Sequence, residues 1–145
     1  MVAIDAEADG IARVLARMSP EELPRLRVEI GSIEEVAVPE ADLVWAGYSL
    51  FFLTPQRFPA VWQRIREAVR PGGRFAGQLL GARDTWAADD GMNAHARADA
   101  ERLFDGWSIE RFEEEENDGD ALSGPKHWHL FHVVARAPEP PERAL

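Results

Sequence analysis

The chain has 145 residues, enough for one domain with a single core and too few for two comfortable ones. Hydrophobic residues make up 46% and charged residues 29%, an ordinary balance for a globular protein, and the formal net charge is −10 with no basic cluster. That charge repels phosphate backbones and anionic lipid, which argues against nucleic acid and membrane partners, and the absence of cysteine excludes disulfides, thiolate metal sites and a cysteine nucleophile.

Val2-Ala3-Ile4 predicts a short strand that stops at Asp5. Ile11, Val14, Leu15 and Met18 fall on one stripe of an amphipathic helix, which Ser19-Pro20 ends. Leu26, Val28 and Ile30 alternate with polar residues, predicting a strand that closes at Gly31-Ser32. Leu43-Val44-Trp45-Ala46 runs without alternation, as in a strand buried on both faces. Thr54-Pro55 signals a helix start, but Pro59 removes a backbone donor, so the regular helix begins near Phe58 after a separate turn. Its stripe is Phe58, Val61, Trp62, Ile65 and Val69, and Pro71-Gly72-Gly73 is a sharp stop before a strand over residues 74–80. Residues 81–91 read as a loop and 93–104 as a helix anchored by Leu103 and Phe104. Residues 107–113 and 128–135 read as strands joined by a polar loop, and therefore antiparallel.

This order predicts an α/β fold: a mainly parallel sheet with helices on both faces, closing on a C-terminal antiparallel hairpin. The expected domain covers residues 1–136. The proline-rich and charged tail, residues 137–145, cannot build a core and is expected to be disordered.

In open α/β sheets, ligands bind beyond the carboxyl ends of the strands. That rule selects Asp5 after the first strand, Gly31-Ser32-Ile33 after the second and Gly47-Tyr48-Ser49 after the third. Asp5 can accept hydrogen bonds from both hydroxyls of a ribose, or merely cap the helix that follows. His127 and His129 point to one face of their strand and His132 to the other. Three readings stand for the pair: cross-strand pairing with Glu113-Glu114-Glu115-Glu116, substrate binding or proton removal, or a His-x-His metal site whose further ligands would be those glutamates. No metal is expected. Asn93, His95 and Arg97 either reach a substrate anion or lie on an ordinary surface helix.

Five segments, in order, resemble the class I S-adenosylmethionine-dependent methyltransferases. Val2-Ala3-Ile4-Asp5-Ala6-Glu7 is similar to their second strand, whose terminal acid holds the cofactor's ribose. Residues 41–50 are similar to the fourth strand, residues 53–69 to the helix after it, and Arg70-Pro71-Gly72-Gly73-Arg74-Phe75 to the turn before the fifth strand. Residues 126–136 resemble the last strand of a bacterial subgroup near the tellurite-resistance methyltransferases. The resemblance implies a Rossmann-like fold and S-adenosylmethionine as cofactor. Asp5 and Ala6 would sit at the ribose, Ser32 and Ile33 at the adenine, and Gly47 and Tyr48 beside the sulfonium. Tyr48 stacks on a substrate or fills core, and with His127 and His129 it forms the expected substrate contacts. The implied reaction is methyl transfer to a small-molecule acceptor in the cytoplasm. No catalytic acid or base is assigned, because in-line displacement relies on proximity and alignment.

The family's first strand, first helix and Gly-x-Gly loop have no counterpart among the 11 glycines. The missing strand would lie between the strands ending at Asp5 and Ala46, leaving a slot of roughly 10 Å with two open edges. The expectation is that the gene product begins upstream of Met1, or that the chain pairs with another and forms a homo-oligomer. The competing expectation is a truncated or inactive methyltransferase fold serving as an oligomerisation or binding module.

Overall fold

Hydrophobic periodicity and turn chemistry divide residues 1–140, which the computed structural model describes, into ten regular elements. In chain order these are β1 (Val2–Asp5), α1 (Ala8–Leu15), β2 (Arg27–Ile30), β3 (Ala41–Ala46), α2 (Phe58–Ala68), β4 (Val69–Gly81), β5 (Ala94–His95), α3 (Arg97–Arg102), β6 (Ser108–Ala121) and β7 (Gly124–Arg136). They fall into two compact units, the first Met1–Pro39 and the second beginning at Glu40. Among the described residues, no helix is long and apolar enough to cross a membrane.

In the first unit, β1 and β2 pair in parallel from Val2 opposite Arg27 to Asp5 opposite Ile30. The helix between them is shorter than its apolar stripe: it ends at Leu15, and residues 16–18 close in a turn through the amides of Arg17 and Met18. Ile11 is buried while Val14 is exposed.

The second unit carries a mixed sheet in the order β3-β4-β7-β6, with β5 beside the end of β4. Strands β3 and β5 run parallel to β4, and β7 runs antiparallel to both β4 and β6. The α2 stripe is buried as expected, from Phe58 through Val61, Trp62 and Ile65 to Val69. Trp62 meets Phe75 and Phe104 edge-on at 5.0 and 5.2 Å, and its indole N–H donates to the Leu103 carbonyl. A separate turn precedes the helix, with the Thr54 carbonyl accepting from the amides of Arg57 and Phe58.

Four expectations need correction. First, β3 is not buried on both faces: among the described residues it ends its sheet, pairing with β4 alone, and Leu43 and Trp45 are 57% and 63% exposed. Second, Pro71-Gly72-Gly73 does not stand outside a strand; it is an irregularity within β4, where Gly72 takes φ +73, a conformation open to glycine. Third, residues 93–104 are not one helix. Ala94 and His95 pair with Leu80 and Gly81, so the helix is confined to α3. Fourth, the polar loop of the hairpin is mostly strand. β6 and β7 stay paired out to Ala121 and Gly124, because an outer strand with solvent on its flank tolerates polar residues that a central one would not. In the tail, Ala137 is buried and exchanges backbone hydrogen bonds with Gly72 and Gly73, prolonging the β4–β7 ladder. The rest of the expected disorder, over residues 141–145, lies outside the described residues.

Candidate functional site

Parallel pairing sets the carboxyl ends of β1 and β2 side by side, which brings Asp5 and Ala6 next to Gly31, Ser32 and Ile33; the Gly31 amide donates to the Asp5 carbonyl at 2.9 Å. The Asp5 side chain is exposed, and its Oδ1 accepts from the Glu7 amide at 2.9 Å. Its Oδ2 leans over Gly10, where an added Cβ would come within 2.5 Å. Glu7 itself stands at the start of α1 with no side-chain cap, so Asp5 braces the turn before the helix and does not cap the helix proper. The Ser32 hydroxyl accepts from the Glu34 amide at 3.2 Å, while its carbonyl accepts from the amides of Glu35 and Val36.

In the second unit, the chain leaves β3 through Gly47 into Tyr48, which is the one non-glycine residue with positive φ (50°) among the described residues. A bulky side chain in this left-handed region is strained and persists only where its surroundings fix it. The fixing group is Gln78, buried within β4, whose Oε1 accepts from the Tyr48 amide at 3.2 Å. Gln78 Nε2 approaches His132 Nδ1 at 3.4 Å, and His132 Nε2 approaches Glu115 Oε2 at 2.7 Å. One donor sense runs through all these contacts: Tyr48 N–H to Gln78, Gln78 NH₂ to His132, and His132 N–H to Glu115. This relay crosses every strand of the sheet from β3 to β6.

His127 and His129 do share a face, and cross-strand pairing with carboxylates is what they do there. His129 is 1% exposed. Its Nδ1 accepts from the Arg83 amide at 3.1 Å, and its Nε2–H donates to Glu114 at 2.9 Å. With both nitrogens used and the ring enclosed, His129 has no face for a substrate, so its expected substrate contact is corrected to a structural one. Gly81 makes this enclosure possible, since a Cβ there would lie 2.1 Å from His129 Nδ1. His127 sits between Glu116 at 3.0 Å and Asp118 at 2.7 Å. Two carboxylates favour the doubly protonated ring, so His127 is pushed above its ordinary pKa, by Glu116 first and Asp118 second.

Glu114, Glu116 and His129 each offer a ligand atom, all within 4.8 Å of one another, as a metal site would require. The Arg83 guanidinium already bridges both carboxylates, at 2.8 Å to Glu114 and 2.6 Å to Glu116. Hydrogen bonds, from His129 first at Glu114 and from Arg83 first at Glu116, hold both carboxyls at about 2. A dication would have to displace that arginine.

Sequence reasoning missed the clamp beside this network. Asp84 accepts from the Trp86 amide through Oδ1 and from the His129 amide through Oδ2, both at 2.9 Å. Lys126, the only lysine, is buried with Nζ 2.5 Å from Asp84 Oδ1 and stands 3.7 and 3.5 Å from the ring centroids of Trp86 and Trp128. Its Nζ meets no acceptor at a bonding angle, so the contact is an ion pair inside a cation–π sandwich, not a directed hydrogen bond. A buried Gln in the apolar run Phe75-Ala76-Gly77-Gln78-Leu79-Leu80, and the Asp84-Thr85 pair just after it, were the available signals.

Of the remaining candidates, Arg97 is held by Glu101 and Glu114. His95 accepts from Asn93 Nδ2 at 2.9 Å against the Phe58 ring, and burial pushes its pKa down to about 4. It is therefore neutral near pH 7 and offers no charge to a substrate anion. An open groove of about 610 Å³ runs along α3 and the start of β6, at the amino edge of the sheet and away from Tyr48.

Neither a family-wide sequence pattern nor a curated protein sequence matches the chain. Solved structures do. TehB from Haemophilus influenzae superposes with a TM-score of 0.74 at 13% identity, over 94% of this chain and 49% of that one. An S-adenosylmethionine-dependent methyltransferase from Methanosarcina mazei gives 0.69 at 11% identity, covering 96% and 82%. The N-methyltransferase NodS from Bradyrhizobium japonicum, solved with S-adenosylhomocysteine, gives 0.68 at 18% identity, covering 95% and 66%. The chain thus spans about half the length of TehB and 66% of NodS.

Proposed function

We propose that this chain, which has the class I S-adenosylmethionine-dependent methyltransferase fold, binds S-adenosylmethionine and serves methyl transfer to a small-molecule acceptor. The observation that carries the reading is the exposed Asp5 carboxylate at the carboxyl end of a parallel strand, beside Ser32 at the end of the next. These residues fit the adenosyl half of the cofactor. Asp5 keeps lone pairs beyond the one given to Glu7, enough to accept from a pair of ribose hydroxyls. Ser32 and the Ile33 backbone offer uncharged contacts for adenine, weaker than a carboxylate would give. Bound there, the cofactor supplies an electrophilic methyl group. On the second unit, Gly47 and Tyr48 remain candidates for the sulfonium end by the resemblance alone, with Tyr48 fixed by Gln78. His127, part exposed beyond β4, remains the histidine candidate for acceptor contact.

The acidic, cysteine-free composition supports a cytoplasmic setting. Isothermal titration with S-adenosylhomocysteine tests the reading. Asp5→Ala is expected to weaken binding by about 1.5–3 kcal/mol while leaving the melting temperature near the parent's. Equal affinity with a much lower melting temperature would reduce Asp5 to a turn brace.

One observation favours a second element of the reading. Among the described residues, strand β3 is paired along one edge only, and its Leu43 and Trp45 side chains are exposed. Unpaired strand edges recruit other strands. We therefore propose that the chain works as a homo-oligomer; without cofactor binding, the same edge supports an oligomerisation module.

A further inference from the structure

We infer that the acceptor carries a planar aromatic ring without negative charge, held against Tyr48 and Phe52 on the loop after β3; this rests on the methyl-transfer reading above. Two aromatic side chains close in sequence, Tyr48 and Phe52, are 50% and 56% exposed on that loop. They are not loose. Phe51 behind them is buried, edge-on to Tyr48 at 6.4 Å and 4.8 Å from Phe52. Trp86 stands 5.9 Å from Phe52, Trp128 stands 5.4 Å from Trp86, and Lys126 pins both indoles from within. The result is a rigid inner wall presenting two outer rings, which reduces the ordering a ligand must impose. The strained backbone at Tyr48, kept by the Gln78 hydrogen bond, is a second observation at the same place.

Charge decides the class. The cations near this wall are committed: Lys126 to Asp84, Arg83 and Arg97 to Glu114 and its neighbours Glu116 and Glu101, and His127 to Glu116 and Asp118. No guanidinium or ammonium of this set is left to hold a carboxylate or phosphate, and the net charge of −10 opposes anions further. A ring without negative charge remains, and aromatic faces favour an aromatic partner over an aliphatic one of equal area.

Saturation-transfer NMR on the full chain with phenol, cyclohexanol and benzoate tests this, alongside a separate titration with S-adenosylhomocysteine. Phenol is expected to bind about two- to tenfold more tightly than cyclohexanol, and benzoate more weakly than phenol. Phe52→Leu and Tyr48→Leu, both at exposed rings, should each weaken phenol by a similar factor at unchanged melting temperature, while Tyr48→Phe retains it. Equal binding of cyclohexanol, tighter binding of benzoate, no phenol binding, or an indifferent Phe52→Leu would each overturn the inference. Binding of S-adenosylhomocysteine without phenol preference would overturn it alone. Phenol preference without S-adenosylhomocysteine binding would support the aromatic site and overturn the methyl-transfer reading.

Discussion

Two regions of the second unit are held together by different physics. Beneath α2, Phe58, Trp62, Phe75 and Phe104 lie ring against ring at centroid distances from 5.0 to 6.1 Å, all buried. Along the outer hairpin, β6 exposes most of its side chains and is tied to its neighbours by charge: Arg74 to Glu110, Arg83 to Glu114 and Glu116, His127 to Glu116, and His132 to Glu115. The first region draws on apolar area removed from water and is indifferent to salt. The second draws on pairs that solvent screens, so it fixes register and neutralises a glutamate run more than it stabilises the fold.

The sharpest way to break this contrast is Trp62→Ala, expected to cost about 3–5 kcal/mol in urea titration. A loss below about 1 kcal/mol would mean that the rings do not form the core.

Acidification separates the regions by pH window. Burial holds His95 at about 4 against an ordinary 6.5, so between those values the unfolded chain binds a proton that the folded chain does not. Stability therefore falls as pH drops from 6.5 towards 4, by about 3 kcal/mol in all, and His95→Phe should abolish that slope. The hairpin's carboxyls, Glu114 and Glu116, lie at about 2 against an ordinary 4.5, so their contribution is lost only as pH drops below 4.5. His127, raised by its carboxylates, acts in the opposite direction: its contribution is full below 6.5 and fades as pH rises through its folded value. A melting profile with one undivided acid transition in both parent and His95→Phe would contradict this separation.

Where the regions meet, Gly81→Ala sets a methyl 2.1 Å from His129 Nδ1 and is expected to cost about 1–3 kcal/mol. Adding His129→Ala should recover part of the loss, which a simple strand-propensity effect would not. The smallest effect belongs to Arg83→Met: a slight fall in melting temperature at low salt that vanishes near about 1 M salt. A large, salt-independent fall would make the hairpin network a core element.

Much of the first region could be read in advance because its signals are local. Phe58, Val61, Trp62 and Ile65 recur with the helical period, and a proline explains the delayed start. Asp5 at a strand end and the helix-free connection of the hairpin were legible for the same reason. The hairpin's length was not: Asn117-Asp118-Gly119-Asp120 has loop composition, and only pairing with residues 125–128 makes it strand. Likewise the exposure of Leu43 and Trp45 depends on what lies beside β3, and the burial of His129 depends on a glycine 48 positions earlier. The relay through Gln78 and the Lys126 clamp join residues distant in sequence, so no period or spacing announces them.

The most direct test of the proposed cofactor site is sedimentation velocity of the 145-residue chain with radiolabelled S-adenosylhomocysteine. The expected result is label moving with the protein boundary at the mass of a dimer or larger, and much less of it with Asp5→Ala. Label left evenly spread through the solution while folded protein sediments would contradict the reading.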